Sequence, residues 1–178
     1  MKCLTPLMTR LRRKAAPLTA TPLALMCCAL MAAACETSDC PINNVVYAKY
    51  GFYVMSAGQE VAVKVMDTLT VTAGGTDSVL VNRLTSGSGL DLPLSYSGAT
   101  DTIALSFTDT LGVVRADTIW IDKENTLHYE SPNCPASVFH HITAARCTRR
   151  LIDTVTVVNP SIDYNVSENF KIYFRNSD

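Results

Sequence analysis

The histidines are the side chains of this chain best suited to acid–base or metal chemistry, and there are three of them. They are His128 and the adjacent pair His140 and His141. Neighbouring residues of a strand point to opposite faces of the sheet, so the adjacent pair cannot hold one metal ion if it lies in a strand. The sequence contains no His-Glu-x-x-His, Cys-x-x-Cys or Gly-x-Ser-x-Gly motif. We therefore expect no catalytic residue, no metal site and no cofactor-binding residue.

Carboxyl groups offer a second route to catalysis, because a glycoside hydrolase works with two of them about 5–9.5 Å apart. The sequence does not show which acids approach one another. A hydrolase directed at the envelope or at a polysaccharide is therefore the alternative to a non-catalytic protein. The acids that could form such a pair are Asp122, Glu124, Glu130 and Glu168.

One polar segment has part of the spacing of a calcium-binding loop. Tyr164 stands where that loop needs a glycine, and Phe170 stands where it needs a bidentate acid. We therefore expect a polar turn rather than a calcium site. The alternating polar residues are Asn159, Ser161, Asp163 and Asn165.

Residues 1–34 have the pattern of a signal peptide that is removed from the mature protein. Basic residues without any acid precede an apolar run from Leu23 to Ala34. This run is shorter than the roughly 20 residues that a membrane-spanning helix needs. It ends in small residues before Cys35, which resembles the bacterial lipoprotein signal, although Ala32 replaces the usual leucine. We expect Cys35 to carry the lipid and residues 35–40 to form a short tether.

Cys27 and Cys28 in the same apolar run could also carry the lipid. The large side chain of Met26 before Cys27 argues against this, and only Cys35 is followed at once by a polar segment. Two or three acyl chains on Cys35 would hold the protein on a membrane far more firmly than one chain could.

Three cysteines, Cys40, Cys134 and Cys147, remain in the mature chain after Cys35. The compartment outside the inner membrane is oxidising, so we expect one disulfide and one leftover thiol. We favour the pair Cys40 and Cys134, because a proline follows each of them and indicates a loop or a strand edge. Cys147 ends a strand-like run and would then be a free thiol. A bridge from Cys40 to Cys147 would contradict this choice.

The charge of the mature chain disfavours several partners. Without the five basic residues of the signal, ten basic residues face 16 acidic ones, which gives a formal charge of about −6. Such a surface repels nucleic acid and anionic lipid headgroups. We expect contact with a membrane through the lipid anchor, an unknown protein or glycan partner, and no binding to nucleic acid.

An Asp followed by Ser or Thr and then an aliphatic residue occurs six times, where composition predicts about one occurrence. Asp is common in turns, and β-branched and aliphatic residues favour strands. We expect each triplet to end a turn and open a strand. The triplets begin at Asp67, Asp77, Asp101, Asp109, Asp117 and Asp153.

Short strand patterns with turn signals follow one another along the mature chain, without helical periodicity. Gly74-Gly75 indicates a hairpin, and Pro93 indicates an edge strand. The pattern favours a single all-β domain over residues 41–178, an antiparallel β-sandwich that could be immunoglobulin-like, with a β-barrel as the alternative. The predicted strands cover residues 61–71, 78–84, 90–96, 103–107, 113–121, 126–130, 137–144, 152–158 and 170–174.

The densest aromatic cluster consists of Tyr47, Tyr50, Phe52 and Tyr53. By strand alternation, Tyr50 and Phe52 share one face of a strand, whereas Tyr47 and Tyr53 share the other. We expect one face to pack into the core with tyrosine hydroxyls at its rim. An exposed aromatic row that stacks on sugar is the alternative.

Several motifs of the mature chain together resemble a family of uncharacterised Bacteroidetes lipoproteins that carry a domain of unknown function. The resemblance covers nearly all of the mature domain. It implies a lipoprotein of the cell envelope, supports the pairing of Cys40 with Cys134, and implies no activity. The motifs include Asp39-Cys40-Pro41, Tyr50-Gly51-Phe52-Tyr53, Asp67-Thr68-Leu69-Thr70-Val71, Leu92-Pro93-Leu94-Ser95-Tyr96, Asp117-Thr118-Ile119-Trp120-Ile121 and Val157-Val158-Asn159-Pro160.

Given that resemblance, the six triplets have a second interpretation. They resemble the acceptor signal for O-linked sugars on exported Bacteroidetes proteins. A bulky sugar is best accommodated at an exposed turn, where it disturbs no packing. The candidate acceptors are Thr68, Ser78, Thr102, Thr110, Thr118 and Thr154.

The sequence thus predicts a membrane-anchored cell-envelope lipoprotein whose activity it does not name. Glu36 and Asp39 behind the anchor resemble signals for the outer face of the outer membrane, although an ordinary polar tether would look the same. We expect an outer-membrane lipoprotein that faces the periplasm or the cell surface. Its expected role is that of a non-catalytic binding or accessory module.

Overall fold

Alternation of apolar and polar residues produces eleven strands in the computed structural model of the protein, which describes residues 40–76 and 78–175. No helix among these residues is long and apolar enough to cross a membrane. The strands are β1 (Tyr47–Ser56), β2 (Gln59–Ala62), β3 (Thr68–Ala73), β4 (Val79–Leu84), β5 (Gly89–Pro93), β6 (Thr100–Thr108), β7 (Val114–His128), β8 (Ser137–Cys147), β9 (Ile152–Val157), β10 (Ser161–Ile162) and β11 (Phe170–Phe174).

The strands form two sheets, and this all-β sandwich confirms the predicted fold class. One sheet has the order β2-β1-β11-β9, with β5 also paired to β1, and the other has the order β10-β8-β7-β6-β3-β4. The pairing of β1 with β11 is parallel, whereas the other pairs are antiparallel. A parallel pair needs a long connection between its strands, and here the two strands come from opposite ends of the domain.

The core lies between the sheets and contains half of the aromatic cluster. Tyr50 and Phe52 are buried, and the ring of Tyr50 stacks on that of Phe170 at 4.7 Å between centroids. The ring of Phe52 meets that of Phe174 edge-on at 5.5 Å. On the opposite face of β1, Tyr47 is exposed and Tyr53 is half-buried. The predicted core face is therefore confirmed, but the Tyr50 hydroxyl is buried without a hydrogen-bond partner among the described residues and does not lie at the rim.

Local turn signals correctly located one hairpin and one edge. Gly74-Gly75 joins β3 to β4, and Gly75 has the positive φ of 75° that favours glycine. Strand β5 ends at Pro93 and pairs with β1 alone. Both features agree with the sequence prediction.

Strand boundaries were wrong in three places. The predicted strand 90–96 ends early, at Pro93. The predicted strand 61–71 is two strands, because the chain leaves one sheet after β2 and enters the other at β3. The predicted strands 113–121 and 126–130 are one strand, β7, because Lys123 between them is buried with hydrogen-bond partners and the pairing with β8 continues past it after a register shift. The short strand β10 was not predicted.

The triplets open strands at four of their six positions. Asp67 directly precedes β3, Ser78 directly precedes β4, and Asp101 and Asp153 are the second residues of β6 and β9. The prediction was wrong for the other two triplets. Asp109 lies in the turn after β6, where its Oδ1 accepts hydrogen bonds from the backbone N–H groups of Leu111 and Val113, each at 2.9 Å.

For the triplet at Asp117 the prediction was wrong in a different way. This Asp lies inside β7 and is buried, with 1% of its surface exposed. A buried carboxylate is tolerated only where hydrogen-bond donors surround it. Asp117 therefore acts as a partner for a neighbouring loop rather than as a turn residue.

The long strand β7 gives the sandwich two distinct ends. With 15 residues it spans about 50 Å at ~3.3 Å per residue. Its last residue, His128, leads into the turn that holds Cys134, and Cys134 forms a disulfide with Cys40, their Cα atoms 5.4 Å apart. We call this the disulfide end. The first residues of β7 lie at the opposite end, beside Phe107 of β6.

Candidate functional site

An apolar cavity of about 360 Å³ opens between the two sheets at the end of β7 opposite the disulfide. Its size lies in the range of small-molecule sites, roughly 300–1,000 Å³. The rings of Phe107 and Phe174 form part of its floor and meet edge-on at 5.6 Å. We call this part of the molecule the cavity end. Its apolar lining consists mainly of Val54, Val63, Val65, Phe107, Leu151 and Phe174.

The cavity exists because the chain changes sheets across this end. Residues 63–67 run from β2 in one sheet to β3 in the other. The backbone N–H groups of Val63 and Val65 donate to the carbonyls of Phe52 and Gly87, each at 2.9 Å. These bonds hold the connector at the mouth of the sandwich, so the space beneath it is lined by side chains without being filled.

The rim of the cavity carries more positive than negative charge. Its charged residues are Lys64, Asp67, Arg115 and Arg175. Arg115 Nη2 lies 3.4 Å from Asp67 Oδ2, which neutralises one of the cations. Lys64 and Arg175 are exposed and make no side-chain hydrogen bond or ion pair with another described residue. The rim is therefore locally cationic on a domain whose net charge is negative.

The wall of the cavity at Leu151 is fixed by the buried carboxylate of Asp117. Both carboxylate oxygens accept hydrogen bonds from the loop between β8 and β9. Three of the four donors lie in this loop and the fourth is the first residue of β9, so the backbone is held at several points and the position of Leu151 is set in advance. The donors are Thr148 Oγ1 at 2.6 Å, Arg150 N at 3.1 Å, Leu151 N at 2.6 Å and Ile152 N at 2.9 Å.

A second polar cluster, around Lys123, contains one of the histidines considered for chemistry. Lys123 Nζ donates to the carbonyls of Ser95 and Gly98, both at 2.7 Å, and to Asn125 Oδ1 at 2.9 Å. Asp101 Oδ2 lies 3.7 Å away. Burial lowers the pKa of Lys123, while the Asp101 charge opposes that shift. Because acceptors occupy all three ammonium hydrogens, Lys123 anchors a turn and is not placed to act as a base.

His140 belongs to the same cluster. Asn125 Nδ2 donates to the carbonyls of Tyr96 and Gly98, so its Oδ1 is the acceptor, and His140 Nδ1 donates to it at 2.7 Å. Burial, followed by the charge of Lys123, lowers the pKa of His140 to about 4. This histidine is therefore neutral at pH 7, with its proton on Nδ1, and it supports the turn rather than a reaction.

The other two histidines lie apart from this cluster. His128 stacks on Phe139 at 4.4 Å between ring centroids, and its Nε2 lies 3.2 Å from Glu130 Oε1. His141 is exposed on β8. Across the described part of the chain, no group of three or more His, Cys, Asp or Glu residues is arranged to hold a metal ion.

The four acids considered for a hydrolase have different surroundings. Asp122 accepts from Arg146 at 2.5 Å and from Thr100 at 2.6 Å, and the Thr100 hydrogen bond is the largest cause of its lowered pKa. Glu130 contacts His128, and Glu168 accepts from the hydroxyl of Tyr53 at 3.0 Å. Glu124 is exposed on β7. The hydrogen bonds found among the described residues bring no two of these four acids together.

Glu60, which the sequence did not single out, belongs to a surface cluster with Glu168. Lys171 Nζ donates to Glu60 at 2.6 Å and lies 4.9 Å from the centroid of the Tyr53 ring. Tyr173 OH also donates to Glu60, at 2.5 Å. The Lys171 hydrogen bond lowers the pKa of Glu60, whereas a glycoside hydrolase needs one carboxyl group that keeps its proton. This cluster therefore lacks a suitable general acid at Glu60.

The segment with calcium-like spacing forms polar turns on either side of the short strand β10, so the predicted turn is confirmed in part. Asn159 Oδ1 accepts from the backbone N–H of Ser161 at 3.1 Å, and Asp163 Oδ1 accepts from that of Asn165 at 2.6 Å. Side-chain oxygens that bond to the backbone two residues ahead stabilise turns. Local hydrogen bonds thus account for the alternating polar residues.

The predicted modification sites fall into different surroundings. Cys35 and the signal peptide lie outside the described residues. The disulfide joins Cys40 to Cys134, and Cys147 is a free, half-buried thiol whose pKa is raised by burial. Among the candidate sugar acceptors, Ser78 and Thr110 are exposed beside turns. The half-buried acceptors, each within a strand, are Thr68, Thr102, Thr118 and Thr154.

No local sequence pattern predicted the cavity. Its rim residues come from segments far apart in the chain, and only the sheet pairing brings them together. One local signal was available, because Arg175 directly follows the largely apolar strand β11 and Arg115 is the second residue of β7. That signal does not reveal that the two strand ends meet.

The comparisons with known proteins identify the family without an activity. The model of a family of unknown function, DUF6452, matches residues 68–174. This match covers more than half of the chain, so the protein belongs to that family. No curated protein and no solved structure matches the chain.

Proposed function

We propose that this member of the DUF6452 family is a membrane-anchored lipoprotein of the cell envelope that binds a ligand, without catalysis, in the cavity between its sheets. The observation that carries the binding role is the cavity itself, an apolar volume of about 360 Å³ with cations at its mouth. Binding sites are typically apolar concavities with a few polar groups that fix the orientation of the ligand.

The anchoring part of the proposal rests on the sequence. A basic segment, a short apolar run and small residues before Cys35 are what a lipoprotein signal requires. A disulfide between Cys40 and Cys134 suits an oxidising compartment outside the inner membrane. Cys40, the first described residue, lies at the disulfide end, and the cavity lies at the other end of β7.

The non-catalytic part of the proposal rests on the lining of the cavity. Its described lining contains no Ser, His, Cys or Glu, and its one acid, Asp67, is paired with Arg115. Acid–base catalysis needs a group that can take or give a proton within hydrogen-bond reach of the reacting atoms. We favour binding over the hydrolase alternative because the described lining has one carboxyl group, whereas a glycoside hydrolase uses two.

Metabolic labelling with palmitate tests the anchor. We expect the wild-type protein to incorporate label and to fractionate with membranes, and the Cys35→Ala variant to lose both properties. Cys27→Ala is the matched control, because it removes another cysteine of the signal and should keep the label. Equal labelling of the wild type and Cys35→Ala would contradict the proposed anchor.

Photo-crosslinking in intact cells tests the binding site. A photoreactive residue replaces Met66, which lines the cavity and is 90% exposed, or Ile42, which is exposed at the disulfide end. We expect light to add a defined small mass to the protein labelled at position 66, as read by intact-mass spectrometry. Absence of that mass, or an equal yield of it at position 42, would rule out the cavity as the binding site.

We further propose that Ser78 and Thr110 are the acceptors of O-linked sugar, because both are exposed beside turns. The half-buried acceptors would have to displace strand packing to carry a sugar. Intact mass of the mature protein from its own cells tests this. A mass equal to that of the lipidated polypeptide alone would remove the proposal.

A further inference from the structure

We propose that the ligand of the cavity is an amphiphilic carboxylate, a linear acyl chain of medium length whose carboxylate is held by the rim cations. This inference rests on the proposed binding function and names its ligand class. Three properties of the cavity lead to it: its volume, the hydrogen bonds that the surrounding backbone already makes, and the distribution of charge on its rim.

The volume limits the size of the apolar part. About 360 Å³ corresponds to roughly 12 of the ~30 Å³ volumes that water molecules occupy in the liquid. Decanoate has that number of non-hydrogen atoms. Transfer of an alkyl chain from water to an apolar lining is favourable. The valine, leucine and phenylalanine side chains of the lining provide that surface.

The backbone around the cavity disfavours a peptide. Val54 of β1 pairs with Phe174 on one side and with Val61 on the other. The N–H groups of Val63 and Val65 in the connector also donate to backbone carbonyls. A peptide would therefore bring its own N–H and C=O groups into the cavity with few partners, which is costly. An acyl chain has no such groups.

The charge of the rim determines the charge that the ligand headgroup should carry. Three of the ten basic residues of the mature chain lie here, and Asp67 neutralises one of them, Arg115. Lys64 and Arg175 make no ion pair with another described residue, so both can contact an anion at the mouth. A carboxylate accepts charge-assisted hydrogen bonds from such groups. The negative charge of the remaining domain repels the same ligand from other surfaces.

Isothermal titration calorimetry with two probes of equal chain length tests the headgroup. The protein is the mature chain from residue 36, which leaves out the lipid-bearing cysteine and keeps the whole described domain. The probes are decanoate and decyltrimethylammonium. We expect one decanoate to bind per chain and to bind at least tenfold more tightly than the cationic probe.

Rim variants test the site. Lys64→Gln with Arg175→Gln removes two exposed cations, and we expect decanoate to bind about tenfold more weakly. Lys49→Gln is the matched control, because it removes a cation whose partner, Asp91, is also on the surface and which does not line the cavity. The control should bind decanoate as the wild type does. Circular dichroism establishes that each variant is folded.

The outcomes separate the ligand class from the site. If neither probe binds up to about 1 mM, or if both bind equally, the acyl-carboxylate proposal is wrong. The proposal is also wrong if the rim double variant binds decanoate unchanged. The binding function itself would still stand in those cases if crosslinking at position 66 captures a small molecule, and it would fall if that capture is absent.

Discussion

The two ends of this sandwich are built in opposite ways. At the disulfide end, the Cys40–Cys134 bond, the hydrogen bond from Asn44 Nδ2 to the Ala136 carbonyl and contacts among aromatic rings join segments that are far apart in the chain. At the cavity end, hydrogen bonds from the backbone to Asp117 hold the loop before β9, and the space between the side chains stays open.

The difference shows how a small all-β domain can have both stability and a site. Covalent and aromatic contacts at one end can compensate for apolar surface that the other end leaves unburied. A loop fixed by Asp117 keeps that surface in a defined shape, so a ligand does not have to order it. We therefore expect changes at the disulfide end to alter stability and changes at the rim to alter binding.

The largest change in stability should come from removing the disulfide. Replacing Cys40 and Cys134 by serine opens a loop with a sequence separation of 94, which should lower the free energy of unfolding by about 4–5 kcal/mol. Urea denaturation of the mature chain measures this. Cys147→Ser removes the free thiol and should change stability by less than about 1 kcal/mol. Equal losses in the two variants would show that the disulfide is not what stabilises its end.

The next largest effect should come from Asp117. Asp117→Asn replaces one of the two acceptor oxygens by an NH₂ group that faces backbone N–H donors, and we expect a loss of about 3 kcal/mol. Asp109→Asn is the matched control, since it belongs to the same kind of triplet and bonds to two N–H groups in an exposed turn. It should cost about 1 kcal/mol or less. A loss at Asp117 no larger than this would mean that the loop does not depend on its carboxylate.

A smaller loss of stability should appear at acidic pH, and it should come from His140 in the cluster around Lys123. The pKa of His140 is lowered from 6.5 to about 4 in the folded protein, so the unfolded chain binds its proton more readily. The stability gained by keeping His140 neutral is present above pH 6.5 and is lost as pH falls toward 4. Between pH 7 and pH 5, we expect this histidine to account for a loss of about 2 kcal/mol.

The adjacent histidine provides the control for that pH dependence. His140→Gln should lose less stability than the wild type between pH 7 and pH 5, whereas His141→Gln, on the exposed face of β8, should lose as much as the wild type. Urea denaturation at the two pH values gives both numbers. The same loss in all three proteins would show that acids elsewhere set the acid sensitivity.

The sequence predicted the parts of the fold that local pattern controls. Alternation at Ile103, Leu105 and Phe107 located β6, and Gly74-Gly75 located a hairpin, because each signal is complete within a few residues. The parallel pairing of β1 with β11 was beyond such signals, since it joins the two ends of the domain. The rim of the cavity combines Arg175, which follows β11, with Asp67 and Arg115 at the other sheet, and it was missed because it depends on how the two sheets pack.

Asp117 illustrates a second limit of prediction. Its triplet has the same residue types as the others, yet its carboxylate is buried while that of Asp109 serves an exposed turn. What distinguishes them is whether a loop from elsewhere in the chain supplies donors. That information is tertiary, and no local spacing contains it. The contact of Glu60 with Lys171 was also missed, because it joins residues that are far apart in the chain.

The most direct test of separate roles for the two ends crosses two variants with two measurements. The variants are the Cys40 and Cys134 double serine variant and the Lys64→Gln, Arg175→Gln double variant, and the measurements are unfolding free energy and small-molecule capture at position 66. We expect the cysteine variant, while folded, to lose stability and keep capture, and the rim variant to lose capture with a stability change within about 0.5 kcal/mol. Loss of stability without loss of capture in the rim variant would contradict the account.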